Sequence, residues 1–406
     1  MSLGPVLIFD KSALQGLSVD ESLWLDTFFV SNITPIFWVE TLADLEKQLR
    51  KNDGRTAEDI VGNLALKTPE LGGKVNVHHE TLLTAELIGG EFIDMRFGRP
   101  IIPFGQPVEL EGKKGIVFQP STEEEAFGRW QSKEFIDLER TIAKKWRKSL
   151  SELDLASFSQ IFRTSIEVNK PKNVLEAKEL GDAFIDAANQ EDSLILGMSL
   201  IGVPLNYQDQ VLQRWKASGS PPIRKFAPYF SHVMAVDLCF YIGIASGLIS
   251  GDRPSHKVDL SYLYYLPFCM VFSSEDRLHV LLAPLFMQDF QTFWKGSELK
   301  TELRKLNDHY MRLPDDVKES GVSSFAAYPP LSGDFRISEL WDKYLPPWRD
   351  IASTGSPSPM AHIAAGEESP ELNDWGFDSL TIVRNVYTER GNWKRFPPEV
   401  LKSAKS

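Results

Sequence analysis

The first 50 residues alternate between short apolar runs and longer stretches in which apolar residues recur every three or four positions. The runs PVLIFD (residues 5–10) and ITPIFWV (33–39) predict two β-strands, because a strand covered on both faces is apolar throughout. The stretches SVDESLWLDTFFVS (18–31) and ETLADLEKQLRK (40–51) predict helices. The second begins with an acidic residue and ends with basic ones, as the helix dipole favours. This order predicts an α/β fold with a parallel sheet.

Residues 51–229 follow a looser pattern. Glycine and proline recur as far as residue 125, which predicts an irregular segment with one small hairpin. Helical periodicity dominates from residue 129 onward, so the whole range is predicted to be a mainly helical insertion. The apolar stretch 233–249 predicts a further helix. It contains Asp237 and is too short for a bilayer, so we predict no membrane span.

The pattern of the first strand recurs near residue 270. Asp259 precedes an aromatic, apolar stretch that predicts a helix opened by this acid. The run CMVF (269–272) then predicts a second buried strand, which leads into Ser274 and Asp276. Both halves of the chain therefore contain an apolar strand that ends next to an acidic residue.

These patterns predict a discontinuous domain organisation. The predicted parts are a core formed by 1–50 and 230–310, an insertion at 51–229, and a C-terminal extension at 311–406 with a linker near 353–374. The linker is predicted from its composition, which is rich in serine, proline and glycine.

The overall composition narrows the function classes. The net charge of −12 argues against a uniformly basic nucleic-acid binder but is compatible with a site rich in carboxylates. Cys239 and Cys269 both lie in apolar segments, which favours a reducing compartment over a disulfide framework. The N-terminal segment lacks a basic region ahead of its apolar run, so no signal peptide is predicted and we expect a cytoplasmic protein.

Acidic residues stand beside the predicted strands and at the predicted helix starts. Asp10 and Asp276 follow strands, whereas Glu40 and Asp259 open helices. Asp44 lies one helical turn after Glu40. Each acid, considered alone, could have a structural role instead of a functional one. It could be a helix cap, a turn residue or part of a solvated helix face. Because the ends of parallel strands meet at one edge of a sheet, we expect these acids to lie together.

Carboxylates that lie together repel each other unless a cation sits between them. Oxygen ligands without histidine or cysteine favour Mg²⁺ or Mn²⁺ over zinc. Sites of this kind usually act on phosphate esters, because the ion activates water and neutralises developing charge. The sequence therefore predicts a magnesium or manganese site for phosphoester chemistry.

Three segments together resemble the PIN-domain superfamily of metal-dependent nucleases: VLIFDKSAL (6–14), PIFWVETLADLEK (35–47) and VDLSYLYYLPFCMVFSSED (258–276). The resemblance implies a three-layer α/β/α core that hydrolyses RNA and leaves a 5′-phosphate and a 3′-hydroxyl. It implies metal-binding or catalytic roles for Asp10, Asp44 or Glu40, Asp259, Asp276 and the hydroxyl of Ser274. The long insertion departs from a compact member of the family, and two acids compete for the second position.

Two other functions fit parts of the same pattern. One is a catalytically inactive PIN-like module that binds RNA or protein through the insertion, since fold does not imply function. The other is a phosphatase of the haloacid-dehalogenase kind, which normally has a second aspartate two residues after the first. That position is Ser12, which argues against the phosphatase. RNA is the expected partner, and neither an inhibitory protein nor an oligomeric state is indicated.

Two clusters outside the acidic set also carry candidate chemistry. The cationic run 140–148 predicts an RNA-binding surface, in which phosphate contacts are combined with stacking of a base. Its residues are Arg140, Lys144, Lys145, Trp146, Arg147 and Lys148, and a solvated helix face is the alternative. His78 and His79 adjoin in a strand-like stretch, where they would point to opposite faces, so we predict no shared metal ion there.

Overall fold

The computed structural model describes most of the chain. The described residues are 4–49, 54–70, 73–96, 98–101, 106–110, 113–117, 122–152, 154–162, 170–354 and 388–396. The strands are β1 (Val6–Phe9), β2 (Val30–Ile33), β3 (Gly73–Val75), β4 (Gln106–Leu110), β5 (Lys113–Val117), β6 (Val271–Ser274), β7 (Thr292–Lys295), β8 (Glu389–Arg390) and β9 (Trp393–Lys394).

Helices account for most of the remaining described chain. They are α1 (Lys11–Gly16), α2 (Val19–Phe28), α3 (Ile36–Leu49), α4 (Ala57–Ala65), α5 (His79–Thr84), α6 (Thr122–Gln131), α7 (Asp137–Glu152), α8 (Leu155–Ser159), α9 (Val174–Ile185), α10 (Gln190–Ile201), α11 (Leu205–Ala217), α12 (Ile223–Phe226), α13 (Pro228–Ala245), α14 (His256–Ser261), α15 (Arg277–Phe286), α16 (Gly296–Tyr310), α17 (Asp315–Glu319), α18 (Val322–Phe325), α19 (Arg336–Tyr344) and α20 (Trp348–Ser353). A π-helical turn, Ala85–Gly89, continues α5, and 3₁₀-helical segments, Gln160–Phe162 and Tyr262–Phe268, continue α8 and α14.

The main sheet has five parallel strands in the order β3-β2-β1-β6-β7. Strands β1 and β6 lie side by side, with Leu7 opposite Val271 and Phe9 opposite Ser273. The chain proceeds from β1 outward to β2 and β3 on one side, and from β6 outward to β7 on the other. The connections that leave β1 and β6 therefore diverge. In parallel sheets, a switch point of this kind opens a crevice at the carboxyl ends of the strands.

Both faces of the sheet are covered by helices. Val6 and Ile8 of β1 belong to one hydrophobic cluster, which includes α13, whereas Leu7 and Phe9 belong to a second cluster, which includes α2. Successive side chains of a strand point to opposite faces, so this alternation places a core on each side of the sheet. The predicted α/β class with a parallel sheet is confirmed, and its layering is compatible with a three-layer α/β/α arrangement.

The second strand lies earlier in the chain than predicted. The sequence prediction placed it at 33–39, but β2 ends at Ile33, and the apolar residues from Ile36 to Val39 form the start of α3. That prediction was wrong because a short apolar run does not distinguish a buried strand from a buried helical turn. Pro35 stands just before the helix, where its missing N–H leaves no helical bond unmade.

The range 51–229 contributes to the main sheet as well as to the helical layers. Its strand β3 pairs in parallel with β2 and forms one edge of the sheet. The small predicted hairpin is present as the antiparallel pair of β4 and β5. Helix α13 is long and apolar enough to cross a membrane by length and composition, but 83% of it is buried inside the fold.

The C-terminal part returns to the second core. Within residues 388–396, β8 and β9 form a short antiparallel hairpin that contacts α2. Trp393 of this hairpin is buried against Trp24, with ring centroids 4.9 Å apart. Nearly all of the predicted linker at 353–374 lies outside the described residues.

Candidate functional site

The carboxyl ends of β1 and β6 bring Asp10 and Ser274 together at the switch point. Asp10 is buried and caps α1, where its Oδ1 accepts a hydrogen bond from the amide of Ala13 at 2.8 Å. The hydroxyl of Ser12 lies 2.9 Å from both carboxylate oxygens, and the hydroxyl of Ser274 donates to Oδ2 at 2.6 Å. The Asp10 carboxylate is thus surrounded by donors of the protein itself.

A buried histidine completes this arrangement. His279, on the first turn of α15, places Nδ1 2.7 Å from the Ser274 hydroxyl and 3.4 Å from Asp10 Oδ2. Its Nε2 lies 2.6 Å from the backbone oxygen of Asp259. Burial opposes a charge on the imidazole, but the hydrogen bond and charge of Asp10 outweigh it and raise the His279 pKa to about 9. In turn, burial would raise the pKa of Asp10, but the contacts with His279 and Ser274 lower it.

The His279–Asp10 pair predicts a pH-dependent stability. Because the folded pKa of His279 is raised above its usual 6.5, its contribution is complete below pH 6.5 and is lost as the pH rises through about 9. We expect the His279→Gln variant to lack this loss. The gap in free energy of unfolding between wild type and variant should shrink by roughly 2–4 kcal/mol across that window. Urea unfolding of both proteins below and above the window measures the gap, and parallel pH curves would contradict the ion pair.

A lysine occupies the centre of the neighbouring acidic pair. Lys11 is buried, and its Nζ lies 3.3 Å from Glu40 Oε1 and contacts the Asp44 carboxylate. The hydroxyl of Tyr262 donates a further hydrogen bond to Glu40 at 2.7 Å. Burial would lower the pKa of Lys11, but the charges of Glu40 and Asp44 outweigh it and raise that pKa. The ammonium group therefore stays charged.

Asp259 has the least satisfied carboxylate of the set. No hydrogen bond from any described residue reaches its side chain, although the residue is partly buried. Burial, followed by the charge of Glu40, raises the Asp259 pKa to about 8, and Asp276 and Asp10 add to the effect. Asp276 caps α15 by accepting a hydrogen bond from the amide of Leu278 at 2.7 Å.

Three of the predicted acids border an open cavity. Its volume is about 700 Å³, and its walls include Glu40, Asp44 and Asp259 together with Lys47 and Arg253. A smaller cavity of about 310 Å³ shares Asp44 and Lys47 with the first. Among the described residues, those that line the larger cavity do not include the Asp10 and Asp276 side chains. The cavity therefore exposes only part of the acidic set.

The structure places the predicted acids near one edge of the sheet. Two of them, Glu40 and Asp259, lie at helix positions other than those that the sequence predicts. The sequence analysis predicted that Glu40 and Asp259 open helices, and this was wrong. Glu40 lies in the second turn of α3, and Asp259 is the fourth residue of α14. Both helices begin earlier: the apolar residues Ile36 to Val39 precede Glu40 in α3, and His256 to Val258 precede Asp259 in α14. Asp44 still lies one turn beyond Glu40, as the sequence predicts.

The sequence analysis missed three residues that shape the site: Lys11, His279 and Tyr262. Lys11 was visible as the residue after Asp10, and His279 as a histidine one helical turn after Asp276. Neither position by itself indicates a contact with an acid in a different element. The roles of Asp10, Glu40, Asp44, Asp259, Asp276 and Ser274 in metal binding or catalysis stay predictions.

Comparison with known proteins identifies no family. No family model matches the chain, and no curated protein and no solved structure is significantly similar to it. The resemblance to PIN-domain nucleases accordingly stays a prediction. The geometry of the acidic site carries the functional inference.

The predicted RNA-binding run lies on α7, which packs against α3, the helix that carries Glu40 and Asp44. Lys144, Lys145 and Lys148 are exposed, and Lys148 lies 3.8 Å from Glu152. The side chains of Trp146 and Arg147 lie outside the described residues. The cationic helix thus neighbours the site-bearing helix, and its contact with RNA stays a prediction.

The two adjacent histidines are not on a strand. His78 caps α5, and its ring stacks on that of His79 with centroids 4.5 Å apart. Ligand atoms of His78, His79 and Glu80 lie within 4.8 Å of one another. The predicted opposite orientation was therefore wrong, because the chain turns into a helix at this point. Burial, followed by the charges of His78 and Lys257, lowers the His79 pKa to about 3, so this imidazole is neutral.

Proposed function

We propose that this chain is a PIN-like, metal-dependent ribonuclease that hydrolyses RNA phosphodiester bonds with Mg²⁺ or Mn²⁺. The observation that carries the proposal is the Asp259 carboxylate, which lies beside Glu40 in the cavity without a hydrogen-bond donor from the described residues. An ionised carboxylate in such surroundings is costly, and a divalent cation offsets that cost.

The acids have the chemistry that a hard cation prefers, although in the described part of the chain no three of their carboxylates have ligand atoms within 4.8 Å of one another. Asp259, Asp276 and Glu40 offer carboxylate oxygens, which are the ligands that Mg²⁺ and Mn²⁺ prefer. Both ring nitrogens of His279 already contact protein oxygens, so this imidazole is not available to a metal such as zinc. Asp10 is also engaged by donors of the protein, and we expect it to contribute mainly charge and the placement of His279.

The residues around the cavity suit a polyanionic substrate. When bound, the ion supplies an activated water and neutralises charge on the phosphate. Asp259 lines the cavity, where its carboxylate would hold the ion and help remove a proton from the water. Lys47 and Arg253 are exposed at the cavity and form no ion pair with any described residue. Their charges are therefore available to substrate phosphates.

A second candidate is a PIN-like module that binds RNA or protein without cleaving it. The observation that favours it is the internal neutralisation of the acids. Lys11 pairs with Glu40 and Asp44, and His279 pairs with Asp10. A site whose charges are balanced in this way is stable without a bound ion.

Cleavage of end-labelled single-stranded RNA separates the two functions. We expect wild-type protein to cut the RNA in the presence of Mn²⁺ or Mg²⁺, to leave 5′-phosphate ends, and to lose this activity in EDTA. Protein that binds the RNA but leaves it intact with either ion is a binding module. Cleavage that persists in EDTA would contradict the metal-dependent mechanism.

A further inference from the structure

The contacts of Lys11 distinguish it from the other cations near the site. Its side chain is only 4% exposed, and its Nζ contacts Asp44, lies 3.3 Å from Glu40 Oε1 and lies 3.4 Å from the backbone oxygen of Glu40. Glu40 and Asp44 are one turn apart on α3, so both carboxylates face the same side. The ammonium thus occupies the space between two acids in which a metal ion would otherwise be expected.

The position of Lys11 is set by the same loop that sets Asp10. Asp10 caps α1, and Lys11 is the first residue of that helix. The helix packs against α3, which carries the two acids. The Asp10 cap and the packing of α1 on α3 therefore set the backbone position from which the Lys11 side chain reaches the two acids.

The charges of the site leave room for a divalent ion. The five acids of the site face two buried cations, Lys11 and His279. Three negative charges remain when every acid is ionised, so one divalent ion would leave a net charge of −1 and two would leave +1. Charge alone therefore does not set the number of ions, whereas the space between Glu40 and Asp44 is already taken by the Lys11 ammonium.

We propose that the Lys11 ammonium fills the cation position between Glu40 and Asp44, so that the site accepts a single divalent ion on the side of Asp259 and Asp276. This inference rests on the proposed metal-dependent function. It also gives the same part to the two acids that compete for the second family position, because both neutralise Lys11. The lysine replaces the second metal ion as a fixed positive charge.

Counting bound Mn²⁺ tests the proposal without any activity measurement. Free Mn²⁺ is measured by electron paramagnetic resonance during titration of the full chain. We expect one Mn²⁺ per wild-type chain and two per Lys11→Met chain, because the substitution leaves Glu40 and Asp44 without their cation. Lys47→Met is the matched control: Lys47 lines the same cavity, is exposed, and should leave the count at one.

Further variants keep the result interpretable. In Lys11→Met/Asp44→Asn the second ion should be lost again, and Lys11→Arg, which retains the charge, should bind one. Two ions in the wild-type chain, or one in folded Lys11→Met, would overturn the role of Lys11 and leave the proposed function standing. A wild-type chain that binds no Mn²⁺ would instead overturn the proposed function. If Lys11→Met does not fold, the wild-type and Lys11→Arg counts decide.

Discussion

The Asp259→Asn variant is expected to lose Mn²⁺-dependent RNA cleavage, by roughly 10³-fold or more, while its metal-free fold becomes more stable than that of the wild type. The loss follows if Asp259 holds the ion and accepts a proton, since an amide does neither well. The gain follows because the wild-type carboxylate is partly buried without a hydrogen-bond donor from the described residues.

The gain in stability of the Asp259→Asn variant over the wild type should grow as the pH rises. The folded pKa of Asp259 is raised from 3.8 to about 8, so ionisation favours the unfolded chain as the pH rises through that interval. Wild-type stability should therefore fall between these values, and the asparagine variant should not share this fall. We expect the variant to be more stable by about 2 kcal/mol or more above pH 8, with the gap closing near pH 4.

Single-turnover cleavage and urea unfolding in EDTA measure the two effects. Asp252→Asn is a matched control, because Asp252 lines the same cavity but is exposed. It should change neither the cleavage rate nor the pH dependence of stability appreciably. If Asp259→Asn lost both activity and stability, Asp259 would be a structural residue. If it retained full activity, the proposed site would be wrong.

The Arg395→Met variant is expected to destabilise the fold by about 3–5 kcal/mol. Arg395 of the C-terminal hairpin is buried, and its Nη2 lies 2.8 Å from Asp26 Oδ2 and 3.1 Å from Glu70 Oε2. Arg390 shares the same two acids, with its Nη2 3.3 Å from Glu70 Oε1. Removal of the Arg395 guanidinium leaves Arg390 as the remaining cation of these two buried carboxylates among the described residues, and the loss of a buried ion-pair partner is costly.

The neighbouring lysine provides the control. Lys394 also forms an ion pair, with Glu319, but the two side chains are 39% and 64% exposed and therefore in contact with solvent. Lys394→Met should therefore cost less than about 1 kcal/mol. Urea unfolding of the two variants gives the comparison. Equal effects would show that the hairpin is not anchored through its buried arginines.

The sequence was sufficient for the local features that depend on apolar spacing. The run from Val6 to Phe9 predicted a strand covered on both faces, and β1 places alternate residues in two cores. The same reasoning placed β2 too late in the chain. It failed there because the run Ile33–Val39 contains both the end of a strand and the first turn of α3, and hydrophobicity does not mark that boundary.

The sequence by itself determined that this chain forms an α/β fold with a parallel sheet and that acidic residues follow its central strands. Those features follow from the period of the apolar positions and from the meeting of parallel strand ends at one edge. Only the tertiary structure decided which acids are neutralised and which are not. Lys11 meets acids 29 and 33 residues away, and His279 meets Asp10 from a different helix, whereas Asp259 receives no donor from the described residues. The pairing of charges depends on distances between elements, and residue spacing along the chain does not contain those distances.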